Sequence, residues 1–179
     1  MKNAIYLIFL FFLLFTLGCK QKEAGTEGEG GAGGSLISSE ASIKLLQDAV
    51  KKDPSYARAW LQLGNEYMDT QQDQQAVDAY GRYLELVPGD VNARVDMGTC
   101  YHRLGLPEKA LEEYRIAIKI DPNHPMAHFN SAVVLARDLG RGPEAAAEFE
   151  RFLALDPAYP GAAALREDIK RLKQQRAGK

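Results

Sequence analysis

Three prolines, Pro54, Pro88 and Pro122, stand 34 residues apart, and the residues between them recur at the same spacing. A shift of 34 sets Leu63, Gly64 and Tyr67 over Met97, Gly98 and Tyr101. It also sets Ala76 and Tyr80 over Ala110 and Tyr114. A third copy runs through Ala132, Leu135, Ala145, Phe149 and Pro157, one residue longer in its first helix, between Leu135 and Gly140. This period constrains the fold more than composition does. Each copy is one supersecondary unit too small to bury its apolar face alone, so the copies must stack.

Each proline ends a helix, because it cannot continue one and restrains its predecessor. Asp73, Pro107 and Pro143 mark the starts of the second helix in each copy. Gly64, Gly98, Ala132, Ala76, Ala110 and Ala145 are small residues where two helices must approach closely. Tyr67, Tyr80, Tyr101, Tyr114 and Phe149 fill the gaps between them with large buried rings. The pattern predicts helices over 56–70, 73–87, 90–104, 107–120, 125–139 and 143–155. Residues 36–52 form a leading helix with Leu45, Leu46, Ala49 and Val50 as its apolar residues, closed by Asp53-Pro54. After residue 160, Ala162, Leu165, Ile169 and Leu172 share one face, and Arg166, Glu167, Lys170, Arg171 and Lys173 cover the other. That is the pattern of a helix that seals a stack and shows charge to water.

Trp60, Leu63, Gly64, Tyr67, Ala76, Tyr80 and Pro88 together resemble the tetratricopeptide-repeat (TPR) pattern. The resemblance implies an all-α fold, an α-solenoid of three helix-turn-helix repeats over 55–90, 91–124 and 125–159. A leading half repeat (36–54) and a C-terminal capping helix with a fraying tail (160–179) flank them. Two places depart from the pattern. Tyr83 and Phe152 stand where a small residue is usual, as Ala117 does in the middle copy, and Arg94 and His128 stand in the place of Trp60.

The N-terminus has a different character. Lys2 precedes an apolar run from Ala4 to Leu17. Those 14 residues would span about 21 Å as a helix, short of the roughly 30 Å of a bilayer core and suited to a secretory signal. Leu17-Gly18-Cys19 resembles the end of a bacterial lipoprotein signal peptide, in which cleavage before the cysteine leaves it to carry the lipid. Thr16 stands where that family has Leu. Residues 1–18 thus read as the signal and Cys19 as the lipid attachment site, with an uncleaved anchor and ordinary cleavage as alternatives. Lys20 is not the Asp of an inner-membrane retention signal, which favours an outer-membrane address facing the periplasm. Residues 19–35, from the cysteine through a Gly-rich stretch, form a flexible tether. It cannot bury enough surface to offset its chain entropy, and its reach is on the order of 20–25 Å.

The resemblance assigns partner binding to the concave face, lined mainly by the first helices. Three rows recur there: Leu61, Val95 and Phe129; Asn65, Thr99 and Val133; Met68, His102 and Ala136. Arg58, Arg103 and Arg137 add positive charge beside them. An apolar groove edged by Arg and Asn suits an amphipathic helix or extended peptide with some acidic residues. The carboxylate clamp of some TPR domains needs Lys where Leu61 and Met126 stand and Asn where Asp96 stands. Only Asn65 fits it.

Other chemistries find little support. A net charge of −2 with interleaved acids and bases excludes a nucleic-acid footprint. His124 and His128 have the i,i+4 spacing of metal ligands, but Pro125 intervenes and His128 occupies a packing place. Cys100 reads as a buried thiol. No catalytic grouping, phosphate loop, cofactor or small-molecule substrate is implied. The expectation is a non-enzymatic, membrane-tethered adaptor for another protein in the cell envelope. The alternative is an assembly factor presenting an unfolded substrate, as in cytochrome c maturation, pilus assembly or secretion.

Overall fold

The computed structural model describes residues 38–174. The signal-like segment, Cys19, the tether and the final five positions lie outside the described residues. Eight helices and no strand occur among the described residues. They are α1 (Ser39–Lys52), α2 (Ala57–Asp69), α3 (Asp73–Leu86), α4 (Val91–Arg103), α5 (Pro107–Ile120), α6 (Pro125–Arg137), α7 (Gly142–Leu155) and α8 (Ala162–Gln174). Each packs chiefly on its neighbours in sequence, and α4 also reaches α6, which sets the first helices side by side along one face. This is the three-repeat solenoid, with α2–α3, α4–α5 and α6–α7 as the pairs.

Local chemistry fixes the joints. Asp90 caps α4 by accepting the Ala93 N–H at 3.1 Å, and the Tyr83 hydroxyl donates to its other oxygen at 2.6 Å. That bond gives the oversized Tyr83 its role, and with burial it raises the phenol to about 12. The helix ends after α2 and α4 place Gln71 (φ 58°) and Gly105 (φ 71°) in the left-handed region. There Gln72 N–H reaches Tyr67 O at 2.8 Å, and Leu106 N–H reaches Tyr101 O at 3.0 Å. Both are Schellman closures.

The third copy accommodates its extra residue differently than expected. The first helix is not longer, since α2, α4 and α6 each have 13 residues. The residue widens the turn instead, and after Gly140 (φ 63°) resets the chain direction the Arg141 N–H reaches back to Leu135 O at 2.8 Å.

Close approach explains the small residues. A Cβ on Gly64 would sit 2.7 Å from the Tyr80 ring, and one on Gly98 would sit 2.6 Å from Tyr114. The core forms two clusters, one from Ile43 to Cys100 and one from Val95 to Leu172, and Tyr101 packs against both. At the C-terminal end α8 buries Ala162, Leu165, Ile169 and Leu172, and Lys170, Arg171 and Lys173 on its outward side are ion-paired, Lys173 Nζ to Glu150 Oε1 at 2.6 Å. The leading helix differs from expectation. It buries Ile43 and Val50, while Leu45 is 60% exposed. Leu45 stands two periods before Glu113, a register that faces a repeat's own first helix, and α1 has no such helix among the described residues.

Candidate partner-binding groove

The first helices α2, α4 and α6 bring all three rows to one side, but packing claims much of them. Val95 is a core residue, 6% exposed in the C-terminal cluster, and cannot serve as a contact as the sequence suggested. Phe129 is half-buried. Its ring meets Phe152 edge-on at 5.0 Å, Phe149 at 5.7 Å and Tyr159 at 6.2 Å. This cluster also absorbs the oversized Phe152. Leu61 is half-buried against the N-terminal cluster. At the α6 end the apolar residue that does face solvent is Met126, 46% exposed.

The second row serves the fold. Asn65 Oδ1 accepts the Tyr80 hydroxyl at 2.8 Å, and Thr99 Oγ1 lies 3.3 Å from the Tyr114 hydroxyl. Thr99 spends its own proton on Val95 O at 2.9 Å. In the third copy the ring is Phe149, which has no hydroxyl, and its row partner is Val133, half-buried against the same core. The residue at this place is polar where the ring is a tyrosine and apolar where it is a phenylalanine. In the third row, the Met68 sulfur lies 3.5 Å from the same Tyr80 hydroxyl, and His102 Nε2 pairs with Asp138 Oδ2 at 2.9 Å.

The cations divide as well. Arg103 is tied down: its Nη2 lies 2.6 Å from Asp73 Oδ1, 3.3 Å from Met68 O and 3.8 Å from Cys100 Sγ. Arg58 and Arg137 are exposed and make no ion pair among the described residues. The Cys100 thiol is buried, and burial outweighs the nearby Arg103 to push it up to about 11, so the thiolate is disfavoured.

The two histidines face protein partners, not each other. His124 caps α6, with Nδ1 accepting the Ala127 N–H at 3.2 Å and Nε2 against Asn92 Oδ1 at 3.0 Å. His128 is buried with Nδ1 2.6 Å from Glu148 Oε2 and Nε2 3.0 Å from Pro122 O. Trp60 and Arg94 do the same work in their copies, donating to Pro54 O at 2.9 Å and Pro88 O at 3.3 Å.

Asp96 is the groove residue that sequence reasoning passed over except as a mismatch to the clamp. It lies half-buried on α4, and its carboxyl is pushed up by burial first, then by Asp90 and Asp69, against partial relief from His124 and Arg103. A signal was present: at a shift of 34, Gln62, Asp96 and Asn130 form a row that is polar in every copy.

The tetratricopeptide-repeat family model matches residues 38–91, 61–125 and 103–163. Protein bimA of Emericella nidulans is 28% identical over 85 residues, 48% of this chain and 10% of that protein. Tetratricopeptide repeat protein 6 of Homo sapiens is 30% identical over 53% of this chain, which spans 19% of its length. The chain thus spans less than a fifth of these curated relatives. Among solved structures, MamA superposes with a TM-score of 0.66 at 17% identity, covering 76% of this chain and 85% of that one. The first TPR of Spaghetti, bound to the HSP90 peptide SRMEEVD, superposes at 0.59 with 21% identity, covering 65% and 94%. At these identities the likeness is one of fold.

Proposed function

Since the chain belongs to the tetratricopeptide-repeat family, we propose that it is a non-enzymatic scaffold of the bacterial cell envelope, held to the membrane through Cys19. It binds a segment of another protein along the faces of α2, α4 and α6. The observation that carries this reading is the groove itself. Three first helices lie side by side, with Met126 exposed and Leu61 and Phe129 half-buried along them. Solvent-facing apolar residues on a concave helical surface suit a peptide or helix ligand. The Leu17-Gly18-Cys19 ending and the Gly-rich tether support the anchor, with the outer membrane as its address. The acidic peptide seen with Spaghetti is a poor model for the ligand, because Leu61, Met126 and Asp96 replace the clamp residues.

A photocrosslinker at Met126, with one at Lys119 on α5 as control, should capture a partner only from the groove, and Met126→Glu should abolish capture of the native partner. Equal capture from both positions overturns the groove. A machine subunit among the products supports the adaptor role, whereas a haem-binding or unfolded polypeptide supports an assembly factor. Cys19→Ala should release the protein from membranes, and continued association overturns the lipid anchor.

A further inference from the structure

The electrostatics of the groove specify its occupant more narrowly than its shape does. Most polar residues along this face already have partners: Asn65 and Thr99 serve tyrosine hydroxyls, His102 pairs with Asp138, and Arg103 with Asp73. Asp96 does not. No hydrogen bond and no ion pair reaches its carboxylate among the described residues, and Asp90 and Asp69 add to the negative potential around it. Arg103 on the same helix and His124 at the start of α6 act on it only at a distance. Burial favours the neutral form of this carboxyl, so a cation brought beside it by a partner would stabilise the ionised form. Half-buried Leu61 on α2 lies to one side of it in the order of first helices, and exposed Met126 and half-buried Phe129 on α6 lie to the other.

We propose that the groove takes a protein segment that sets a lysine or arginine side chain on Asp96, with apolar residues on either side over Leu61 and over Met126 and Phe129. The inference rests on the groove reading above and adds a cation at the centre of a ligand for which the sequence suggested acidic residues. Of the three arginines behind that expectation Arg103 is spent on Asp73, while Arg58 and Arg137 stay exposed and can still meet acids of the same segment. A partner cation gains from the preformed negative potential without needing Asp96 to be reorganised, and complementarity of this kind sets partner choice and association rate.

The test uses the full chain in detergent, panned against a phage library of random dodecapeptides, with the selected peptides remeasured by fluorescence anisotropy. Peptides carrying Lys or Arg at one fixed position are expected. Asp96→Asn should weaken them about 10-fold or more, as should Lys→norleucine in the peptide, and the two changes together should cost little more than either alone. Added salt should weaken binding to the unaltered protein more than to the Asp96→Asn variant. Selected peptides that lose binding with Met126→Glu but ignore Asp96→Asn overturn the cation and leave the groove standing. Peptides indifferent to both changes, or no enrichment at all, overturn both. Asn is isosteric with Asp and removes an uncompensated charge, so loss of binding in that variant is not loss of fold.

Discussion

Repeats one and two close their helix pairs with a glycine against a tyrosine, whereas repeat three uses an alanine and a phenylalanine. The change is a matched set. With glycine in place a ring can slide within 2.7 Å of where a Cβ would be, and its hydroxyl then reaches Asn65 or lies beside Thr99. In repeat three the methyl of Ala132, the hydroxyl-free ring of Phe149 and the apolar Val133 replace all three members together. The Trp60 place varies in the same coordinated way. Arg94 and His128 each pair with an acid on the second helix, Glu113 and Glu148, while Ala79 occupies that register opposite Trp60. Much of the variation among copies therefore records internal satisfaction rather than ligand preference. A residue that breaks the matching, as Asp96 does, is the better pointer to a partner.

The largest effect is expected from breaking the acid pairs. Arg94 Nη1 and Glu113 Oε2 lie 2.9 Å apart with side chains 16% and 15% exposed, and the buried Arg94 Nε has no hydrogen-bond partner among the described residues. Glu113→Ala should cost about 3 kcal/mol in chemical denaturation. Glu148→Ala should cost less, because an imidazole can shed its charge and a guanidinium cannot. Equal losses would mean the two pairs do not differ as described.

Next comes the close approach. Gly98→Ala drives a methyl into a Tyr114 ring that is 1% exposed and should cost about 2 kcal/mol. Ala132→Gly in repeat three should cost only about 1 kcal/mol through helix propensity. Grafting the tyrosine into repeat three is a finer test. Phe149→Tyr alone should cost about 1–2 kcal/mol for a hydroxyl without an acceptor, and adding Val133→Asn should recover most of it. Failure of the second change to rescue the first would show that the row does not serve the ring.

Asp96 gives a pH-dependent contrast. Its carboxyl is raised from 3.8 by burial, so the folded state holds the proton more tightly than the unfolded chain. The stabilisation that its protonated form brings is present below that value and is lost as pH rises through the folded value. Asp96→Asn should therefore raise Tm at pH 7 and leave it nearly unchanged at pH 3. The smallest effect belongs to Gln71, whose φ of 58° suits glycine, the residue at the matching Gly105. Gln71→Gly should add about 0.5 kcal/mol.

The period of 34 and the prolines made the repeats legible, and the boundaries of the six repeat helices fall within two residues of those read from the sequence, whereas the leading helix, read as 36–52, begins at Ser39. Which groove residues stay accessible was not legible. Val95 and Arg103 looked available because a repeat alignment places residues on a helix face but does not say how steeply neighbouring helices close over that face. The partner of Arg103 is 30 positions upstream, a distance no local pattern encodes. His128 was readable as a packing residue from its place alone, and Val133 would have been readable from the phenylalanine at Phe149.

The bond from Trp60, Arg94 or His128 to a proline carbonyl six positions earlier also bears on how such an array can change over time. An indole, a guanidinium and an imidazole meet one requirement, a single N–H delivered at a set reach. The large aromatic most typical of the family is thus exchangeable, provided that the residue opposite changes with it. Two such mutations, made in the right order through an intermediate that the rest of the array can tolerate, could convert one copy into another. Each repeat can drift in composition while the hinge between helix pairs keeps its shape.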